Sequence, residues 1–157
     1  MKYGDITVKR ITSSHEYEDA VLLLAEEFPD HHHTNLDFYD YYLIAKLGEE
    51  TVGLVTANKY LPNKVMIADI VVSPEHRSKL VGMKLLHTLT QKVKLDGYSF
   101  ITGITNKKNR EALNLYKKLG GHQEEMIVTT ALLDETIAIM DRKEMILKHR
   151  ENNIKER

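Results

Sequence analysis

Two basic residues and a glycine lie where an apolar run is followed by the most regular predicted helix of the chain. Arg77 and Lys79 come just after the run that ends at Val72, and Gly82 lies one turn further on. The first turn of a helix leaves backbone N–H groups without partners, and the helix dipole adds positive potential there. This spacing predicts a site for a phosphate group. The alternative is that both cations are solvated and that Gly82 is a packing residue.

Asp69 is a second residue that could do chemistry, because it is the one polar side chain in the apolar run 65–72. A carboxylate placed beside a reacting group can act as a general base. The alternative is a structural carboxylate whose hydrogen bonds are satisfied at the edge of a strand.

Three consecutive histidines, His31 to His33, suggest metal binding at first sight. Adjacent residues cannot all face one ion without an unusual loop, and no His-x-x-x-His pair lies nearby. We therefore expect a solvated or substrate-facing loop and no metal. The chain has no cysteine, which removes disulfides, Cys-based zinc sites and a Cys nucleophile.

Hydrophobic periodicity predicts the elements that must position these residues. Strands are expected at 5–11, 42–47, 51–60, 65–72, 99–105, 122–132 and 144–149. Helices are expected at 14–28, 80–95 and 107–119, with a short helix within 29–41. If the strands at 65–72 and 99–105 share a sheet, they form a right-handed parallel crossover. The expectation is a single α/β (α+β) domain over 1–149, with a mixed, mostly antiparallel sheet and a charged tail at 150–157.

Composition limits the classes of function. Hydrophobic residues make up 42% of the 157 residues, and 22 Lys+Arg balance 23 Asp+Glu. This balance gives no indication of nucleic-acid binding, which normally needs a basic excess. No apolar run is long enough to span a membrane, and the first residues lack the apolar stretch of a signal peptide. We therefore expect a cytoplasmic protein without nucleic-acid or membrane partners.

Two motifs resemble those of the GNAT superfamily of N-acetyltransferases. The family's Arg/Gln-x-x-Gly-x-Gly/Ala loop, after a strand ending in Val-x-Pro-Glu, is matched by 77–82 after 72–75, with Leu80 in place of the middle glycine. The pattern Asn-x-x-Ala-x-x-x-Tyr-x-x-x-Gly is matched by Asn109, Ala112, Tyr116 and Gly120. The motifs lie on consecutive predicted helices separated by one strand, as in the family, and the resemblance covers about 40–149.

The resemblance implies an acyl-CoA N-acyltransferase fold in which a central parallel strand pair, here 65–72 and 99–105, splays apart. It implies acetyl-CoA as co-substrate, with its pantetheine arm along the first strand and its diphosphate on the N–H groups that open the next helix. The implied cofactor-binding residues are Ile70, Val71, Val72, Arg77, Ser78, Lys79, Leu80, Val81, Gly82, Met83, Asn109, Ala112 and Tyr116.

Leu80 is the departure from the family pattern. If its backbone needed a positive φ, a non-glycine residue would cost about 1–2 kcal/mol. If the backbone is helical, the only cost is crowding of the diphosphate. Leu80 keeps its N–H donor in both cases, so we expect cofactor binding to survive.

The resemblance also implies catalytic roles. Tyr116 occupies the family's general-acid position, where its phenol would protonate the departing thiolate; the alternative is a core tyrosine. Neutralising a lysine-like amine at pH 7 costs about 4.6 kcal/mol, so a base or a desolvating pocket is needed. Asp69 is the best single candidate for that base. Direct transfer in a ternary complex is expected.

The acceptor implied is the amine of a small molecule or a peptide. Its site is expected from segment 26–42 and a loop near 133–143. The first segment carries Glu26, Glu27, Asp30, Asp37 and Asp40, which could attract a cation or form a charged helix face. A homodimer is compatible with such folds, because their last strands often pair between subunits. The alternative function is a non-catalytic or weakly catalytic acyl-CoA-binding regulatory module, suggested by Leu80.

Overall fold

The computed structural model describes residues 1–29, 35–77, 79–104, 114, 116–118, 122–123 and 128–155. Its strands are β1 (Ile6–Lys9), β2 (Tyr41–Leu47), β3 (Glu50–Leu61), β4 (Lys64–Val72), β5 (Phe100–Ile104), β6 (His122–Gln123) and β7 (Val128–Leu132). Its helices are α1 (Ser14–Glu27), α2 (Lys79–Leu95) and α3 (Leu133–Lys155). Within the described ranges, no helix combines the length and the apolar character needed to cross a bilayer.

The strands form one mixed sheet in the order β1-β2-β3-β4-β5-β7-β6. β4 and β5 are parallel, whereas β1–β2, β2–β3, β5–β7 and β6–β7 are antiparallel. A parallel pair needs a long crossover connection, and α2 is that connection. The predicted fold class, a mostly antiparallel sheet with a central parallel pair and flanking helices, is confirmed.

By internal contacts the chain divides into two compact units. The first unit contains Met1–Ala57 and Asp69–Leu89, and the second contains Asn58–Ala68 and Thr90–Arg157.

Ser13 lies three residues before Glu16, a spacing that indicates a capping box at the start of a helix. In the first unit, α1 begins at this cap, because the Ser13 hydroxyl oxygen accepts a hydrogen bond from the Glu16 backbone N–H at 3.1 Å. α1 then buries one face in a core that also takes side chains from β2, β3 and β4. Its buried members are Ala20, Leu23, Leu24, Leu36, Ile44, Leu54 and Val71.

The buried carboxylate of Glu16 joins α1 to the first two strands. Its Oε2 accepts hydrogen bonds from Lys9 Nζ at 2.7 Å and Lys46 Nζ at 2.8 Å, and its Oε1 accepts from the Thr12 backbone N–H at 2.9 Å. The bonds from Lys46 and Lys9 hold the pKa of Glu16 far below its ordinary value, and the bond to Glu16 raises the pKa of Lys46. Burial of this charge is tolerated because both oxygens are hydrogen-bonded.

Helix α2 packs closely against β3 in the first unit at Gly53. A Cβ placed on Gly53 would lie 3.0 Å from Val81 Cγ1, 3.1 Å from Leu85 Cδ1 and 3.2 Å from the Val71 carbonyl oxygen. A larger residue there would push the helix off the strand, so Gly53 sets how near α2 approaches the sheet.

In the second unit, the sequence prediction fails at the end of the chain. The strand expected at 144–149 is wrong for the described residues, because α3 extends to Lys155. Leu133, Thr136 and Met140 are buried at helical spacing, and Glu144 pairs with Lys148 at 2.9 Å one turn apart. The apolar run at 145–147 is short, and a short apolar run cannot be assigned to a strand or a helix by periodicity alone.

Two further segments of the second unit differ from the predicted elements or extend beyond the described residues. The single strand expected at 122–132 is instead an antiparallel pair, in which His122 of β6 lies opposite Thr130 of β7. The helix expected at 107–119 is helical at 114 and 116–118, and its other residues lie outside the described part of the chain.

Candidate active site

The C-terminal part of β4 carries the residues predicted to contact the pantetheine arm. The described pairing between β4 and β5 runs from Lys64↔Phe100 to Ile67↔Gly103. β4 then continues to Val72, with Val71 buried and Ile70 and Val72 half-buried.

Asp69 is hydrogen-bonded on one side only. Its Oδ2 accepts from the Tyr39 hydroxyl at 3.1 Å and from the Thr56 hydroxyl at 2.9 Å. Across the described residues, Oδ1 has no hydrogen-bond or ion-pair partner. Asp69 therefore has the orientation of a fixed carboxylate with one oxygen left for a ligand or a proton.

Tyr39 remains a donor over the neutral pH range. Burial, followed by the charge of Asp69 and the hydrogen bond to it, raises the pKa of Tyr39 to about 12, against a smaller opposing effect of Thr56. The phenol is therefore protonated whenever Asp69 is ionised at neutral pH. Tyr39 belongs to an aromatic run with Phe38, Tyr41 and Tyr42, which could line a pocket or pack as core, but no local pattern identifies Tyr39 or Thr56 as a partner of Asp69.

A short 3-10 turn before β2 positions Tyr39. The Asn35 side-chain oxygen accepts from the Asp37 backbone N–H at 2.8 Å and from the Tyr17 hydroxyl at 3.0 Å. The Tyr17 hydroxyl in turn accepts from the Leu36 backbone N–H at 2.7 Å, and the Leu36 side chain is buried in the α1 core. These contacts anchor the turn to α1, so Tyr39 is held by a rigid element.

The basic residue that opens the predicted phosphate loop is tied to its surroundings. Arg77 Nη2 lies 2.6 Å from Glu27 Oε2, and Arg77 Nε donates to the Val72 carbonyl oxygen at 3.4 Å. The Arg77 side chain is half exposed, so it can still offer charge to an anion. Ser78 lies outside the described residues, and α2 begins at Lys79.

Leu80 lies in the first turn of α2 and is half-buried. A helical residue has negative φ, so the strain considered for a non-glycine residue at this position does not arise. What remains from that expectation is steric crowding by the leucine side chain.

Gly82 leaves open space beside the first turns of α2. Among the described residues, a Cβ placed on Gly82 would meet no heavy atom within 4 Å beyond its chain neighbours and the helix's own backbone, although the residue itself is buried. Its neighbours Val81 and Met83 are buried side chains, and Val81 packs on β3 at Gly53. The first turn of a helix has backbone N–H groups without intrahelical partners, which can hold an anionic group.

Tyr116 lies against β5 in the second unit. A Cβ placed on Gly103 would be 3.0 Å from Tyr116 Cε2, 3.2 Å from Cζ and 3.4 Å from the hydroxyl oxygen. Gly103 is also the last β5 residue in the described pairing with β4. The phenol is therefore held at the level of the sheet where that pairing ends. Asn109 and Ala112 of the same motif lie outside the described residues.

The predicted acceptor residues are not all in one place. Glu27 pairs with Arg77, and Glu26 lines a groove between α1 and the β2–β3 turn. Asp37 accepts from the Tyr42 hydroxyl at 3.3 Å, whereas Asp30 lies outside the described residues. The loop expected near 133–143 is wrong, because these residues belong to α3.

A family model described as the acetyltransferase (GNAT) family matches residues 10–121, and the chain therefore belongs to that family. No curated protein sequence matches the chain.

Solved structures share its fold. One is a GNAT family acetyltransferase from Elizabethkingia anophelis with acetyl-CoA bound, at 19% identity and TM-score 0.65, over 82% of this chain and 98% of that one. Another is the PaiA N-acetyltransferase of Thermoplasma acidophilum in complex with coenzyme A, at 14% identity and TM-score 0.64, over 81% and 98%. N-acetylglutamate synthase from Neisseria gonorrhoeae, with coenzyme A and N-acetyl-glutamate, has 14% identity and TM-score 0.66, over 82% and 35%.

Proposed function

We propose that the chain transfers an acetyl group from acetyl-CoA to a primary amine, by direct attack while both substrates are bound. Membership of the acetyltransferase family supports the reaction class. The observation that carries the proposal is Asp69, whose Oδ2 is fixed by two hydroxyl donors while Oδ1 has no partner among the described residues. This is the geometry of a general base that awaits a proton donor.

Acetyl-CoA, when bound, supplies an activated acetyl thioester. The residues that would hold it are the helix-start amides of 79–83, the charges of Arg77 and Lys79, the backbone of Ile70 to Val72 and, by the second motif, Asn109 and Ala112. The open space beside Gly82 and the helical backbone at Leu80 support this assignment. Helix-start amides bind phosphate groups in many unrelated proteins.

Asp69 removes a proton from the acceptor ammonium in this proposal. An alkyl ammonium must lose a proton before it can attack, and at pH 7 this costs about 4.6 kcal/mol. Asp69 Oδ1 accepts that proton, directly or through a water molecule. Tyr39 and Thr56 keep the carboxylate oriented, so the reacting amine meets a base that needs no reorganisation.

Tyr116 holds a proton at its hydroxyl for the departing sulfur. The ring lies against Gly103, so the phenol has one side fixed by backbone. General acids of this kind contribute about 10²–10⁴-fold to a rate. No Gly-x-Ser-x-Gly elbow and no cysteine occur in the sequence, which favours direct transfer over a covalent acyl-enzyme.

The acceptor class that we propose is a small-molecule or peptide amine. Asp37 and Asp40 belong to segment 35–42. Tyr39 of the same segment donates a hydrogen bond to Asp69, so these carboxylates lie on the segment that contacts the proposed base. Carboxylates near an entrance raise the local concentration of cations. A binding module without turnover is the second candidate, because the half-buried Leu80 side chain occupies the position of a family glycine.

The test combines thiol release from acetyl-CoA over a panel of amines with calorimetry and thermal unfolding in coenzyme A. We expect turnover on at least one amine. At about 100 times Kd, coenzyme A should stabilise the fold by about 2.7 kcal/mol, a rise in Tm of roughly 5–10 °C at this size. Binding without turnover on any amine supports the module, and the absence of both heat and Tm shift rejects both candidates.

Tyr116→Phe separates the chemical step from binding. We expect turnover to fall about 10²-fold or more while the affinity for coenzyme A stays within about twofold. Tyr60→Phe is the matched control, because Tyr60 is 57% exposed on β3 and should change neither quantity. An unchanged rate in Tyr116→Phe removes Tyr116 from the mechanism.

A further inference from the structure

An acidic groove lies in the first unit, between α1 and the turn that joins β2 to β3. Its volume is about 300 Å³, at the lower end of the range for small-molecule sites. Four of its lining side chains are carboxylates, and no lysine or arginine of the described residues lines it. The carboxylates are those of Asp19, Glu26, Glu49 and Glu50.

These carboxylates are incompletely neutralised by the protein. Glu26 has no hydrogen-bond or ion-pair partner within the described ranges. Asp19 Oδ2 lies 3.5 Å from His15 Nε2, and Glu50 Oε2 lies 3.8 Å from His76 Nε2, where a histidine is charged only when protonated. The groove is therefore negative around neutral pH.

Lys46, a lysine close to the groove, is already engaged. Lys46 Nζ lies 4.0 Å from Glu49 but only 2.8 Å from the buried Glu16, to which it donates a hydrogen bond. The Glu49 side chain is fully exposed, so Lys46 screens it weakly.

Thr51 supplies an independent sign of a ligand. The residue is 8% exposed, and its buried hydroxyl oxygen has no hydrogen-bond partner among the described residues. Thr51 lies directly opposite Lys46, next to a β-bulge at 45–46, and directly opposed residues project to the same face. Lys46 reaches Glu16 of α1, so Thr51 also faces α1, where it lines the groove. A buried hydroxyl without a partner is costly, and a ligand N–H would satisfy it.

The groove has an apolar floor between its carboxylates. Leu22 is 56% exposed and Leu23 is 8% exposed, and both line the groove. A metal site needs at least three ligand atoms close together. Among the described residues of this unit, the cluster with ligand atoms within 4.8 Å of one another is Glu50, Glu75 and His76, and only Glu50 of these lines the groove. Separated negative charges over an apolar surface suit an extended organic cation rather than one metal ion.

We propose that the acidic groove binds an aliphatic diammonium ion. The two ammonium groups lie on the carboxylates, one N–H donates to Thr51 Oγ1, and the methylene chain covers Leu22. This binding does not depend on the acetyl transfer proposed above.

Calorimetry without acetyl-CoA tests the site with 1,4-diaminobutane and 1,5-diaminopentane, beside n-butylamine and Mg²⁺. We expect a diamine to bind at least about tenfold more tightly than the monoamine, since it makes a second charged contact. Thr51→Val should weaken the diamine about fivefold through the lost hydrogen bond. The same variant should keep or raise Tm, because it removes a buried unpaired hydroxyl.

Charge variants locate the binding. The double variant Asp19→Asn, Glu26→Gln should lose at least about tenfold in diamine affinity, whereas Glu18→Gln, an exposed site on the same helix outside the groove, should lose less than about twofold. Heat that persists in Asp69→Asn belongs to the groove, because this variant alters only the acceptor site proposed above. The proposal is overturned if the groove variants bind as the wild type does, if Asp69→Asn abolishes the heat, or if Mg²⁺ or n-butylamine binds as tightly as the diamines.

Discussion

Tyr39 is the residue whose titration reports on the carboxylate of Asp69. Its pKa is raised to about 12 by burial, by the charge of Asp69 and by their hydrogen bond. We expect tyrosine ¹³Cζ NMR to show Tyr39 ionising near that pH. Asp69→Asn should lower the pKa, which should still exceed its ordinary value of 10.0 because burial persists.

The sign of the accompanying stability effect follows from the same shift. A folded-state pKa above the unfolded value stabilises the protein fully below about pH 10, and the contribution is lost as the pH rises toward 12. Thr56→Val is the control, because it removes the Thr56 hydroxyl, which lowers the pKa of Tyr39, and it should therefore shift the titration upward. Ionisation of Tyr39 near pH 10 would contradict its contact with Asp69.

Gly103 leaves the space that the Tyr116 ring occupies. A Cβ at Gly103 would lie 3.0 Å from Tyr116 Cε2, closer than van der Waals contact allows. We expect Gly103→Ala to displace the ring by a few tenths of an ångström and to reduce turnover about tenfold. Thiol release measures the rate, and calorimetry should show unchanged affinity for coenzyme A. If Gly103→Ala lowers the rate equally in a Tyr116→Phe background, the effect does not pass through the phenol.

At the scale of elements, α2 combines a structural and a binding role at its first turns. Ala is about 1 kcal/mol better than Gly inside a helix, and a Cβ at Gly82 meets nothing within 4 Å. We therefore expect Gly82→Ala to raise Tm and to keep the affinity for coenzyme A within about threefold, since the family pattern accepts Gly or Ala at this position. Gly82→Leu should weaken coenzyme A about tenfold or more, because its longer side chain occupies the space proposed for the ligand. Thermal unfolding and calorimetry measure the two effects.

Gly97 provides the control at the other end of α2. Its φ is 98°, a backbone conformation that an alanine adopts only at a cost of about 1–2 kcal/mol. Gly97→Ala should lower Tm and leave the affinity for coenzyme A unchanged. A lowered Tm in Gly82→Ala, or an unchanged affinity in Gly82→Leu, would contradict the open space beside that residue.

The elements differ in how far the sequence predicts them. Ser13 caps α1 as its spacing with Glu16 indicates, and β4 and α2 match their predicted bounds to within one residue. α3 was not predictable from its apolar residues, since Thr136 is buried and Met145 is 71% exposed. Burial in α3 follows contacts made in the folded chain rather than residue type.

The candidate site shows the same division. Motif spacing predicts the residues of 77–83, and an isolated carboxylate in an apolar run predicts Asp69. The partners of Asp69 come from positions 13 and 30 residues away in sequence. No local pattern reports such contacts, because they depend on how β3 and the turn before β2 pack in the first unit.

At the scale of the whole molecule, solved structures share this fold at 14–19% identity. So few shared residues mean that the alternation of apolar positions and the order of elements specify the sheet, rather than individual side chains.

Acid stability is a whole-molecule property that depends on one carboxylate, Glu16. Its depressed pKa contributes stability that is present above about 4.5, the ordinary value, and is lost as the pH falls below it. We expect Glu16→Gln to lower Tm at pH 7, with a difference from wild type that shrinks between pH 5 and 3. Glu18→Gln, on the exposed side of the same helix, should show a small difference over this range. A constant gap in Glu16→Gln would contradict the ionised network.

The one-sided hydrogen bonding of Asp69 has a consequence for selectivity. Both hydroxyl donors bind Oδ2, so among the described residues Oδ1 is left as a hydrogen-bond acceptor for an incoming cation. Primary and secondary ammonium groups bring an N–H to that oxygen, whereas a quaternary ammonium brings only methyl groups. If Asp69 is the base proposed above, the carboxylate should distinguish cations by what they can donate. We therefore expect fully methylated analogues to be poor competitors as well as inert acceptors.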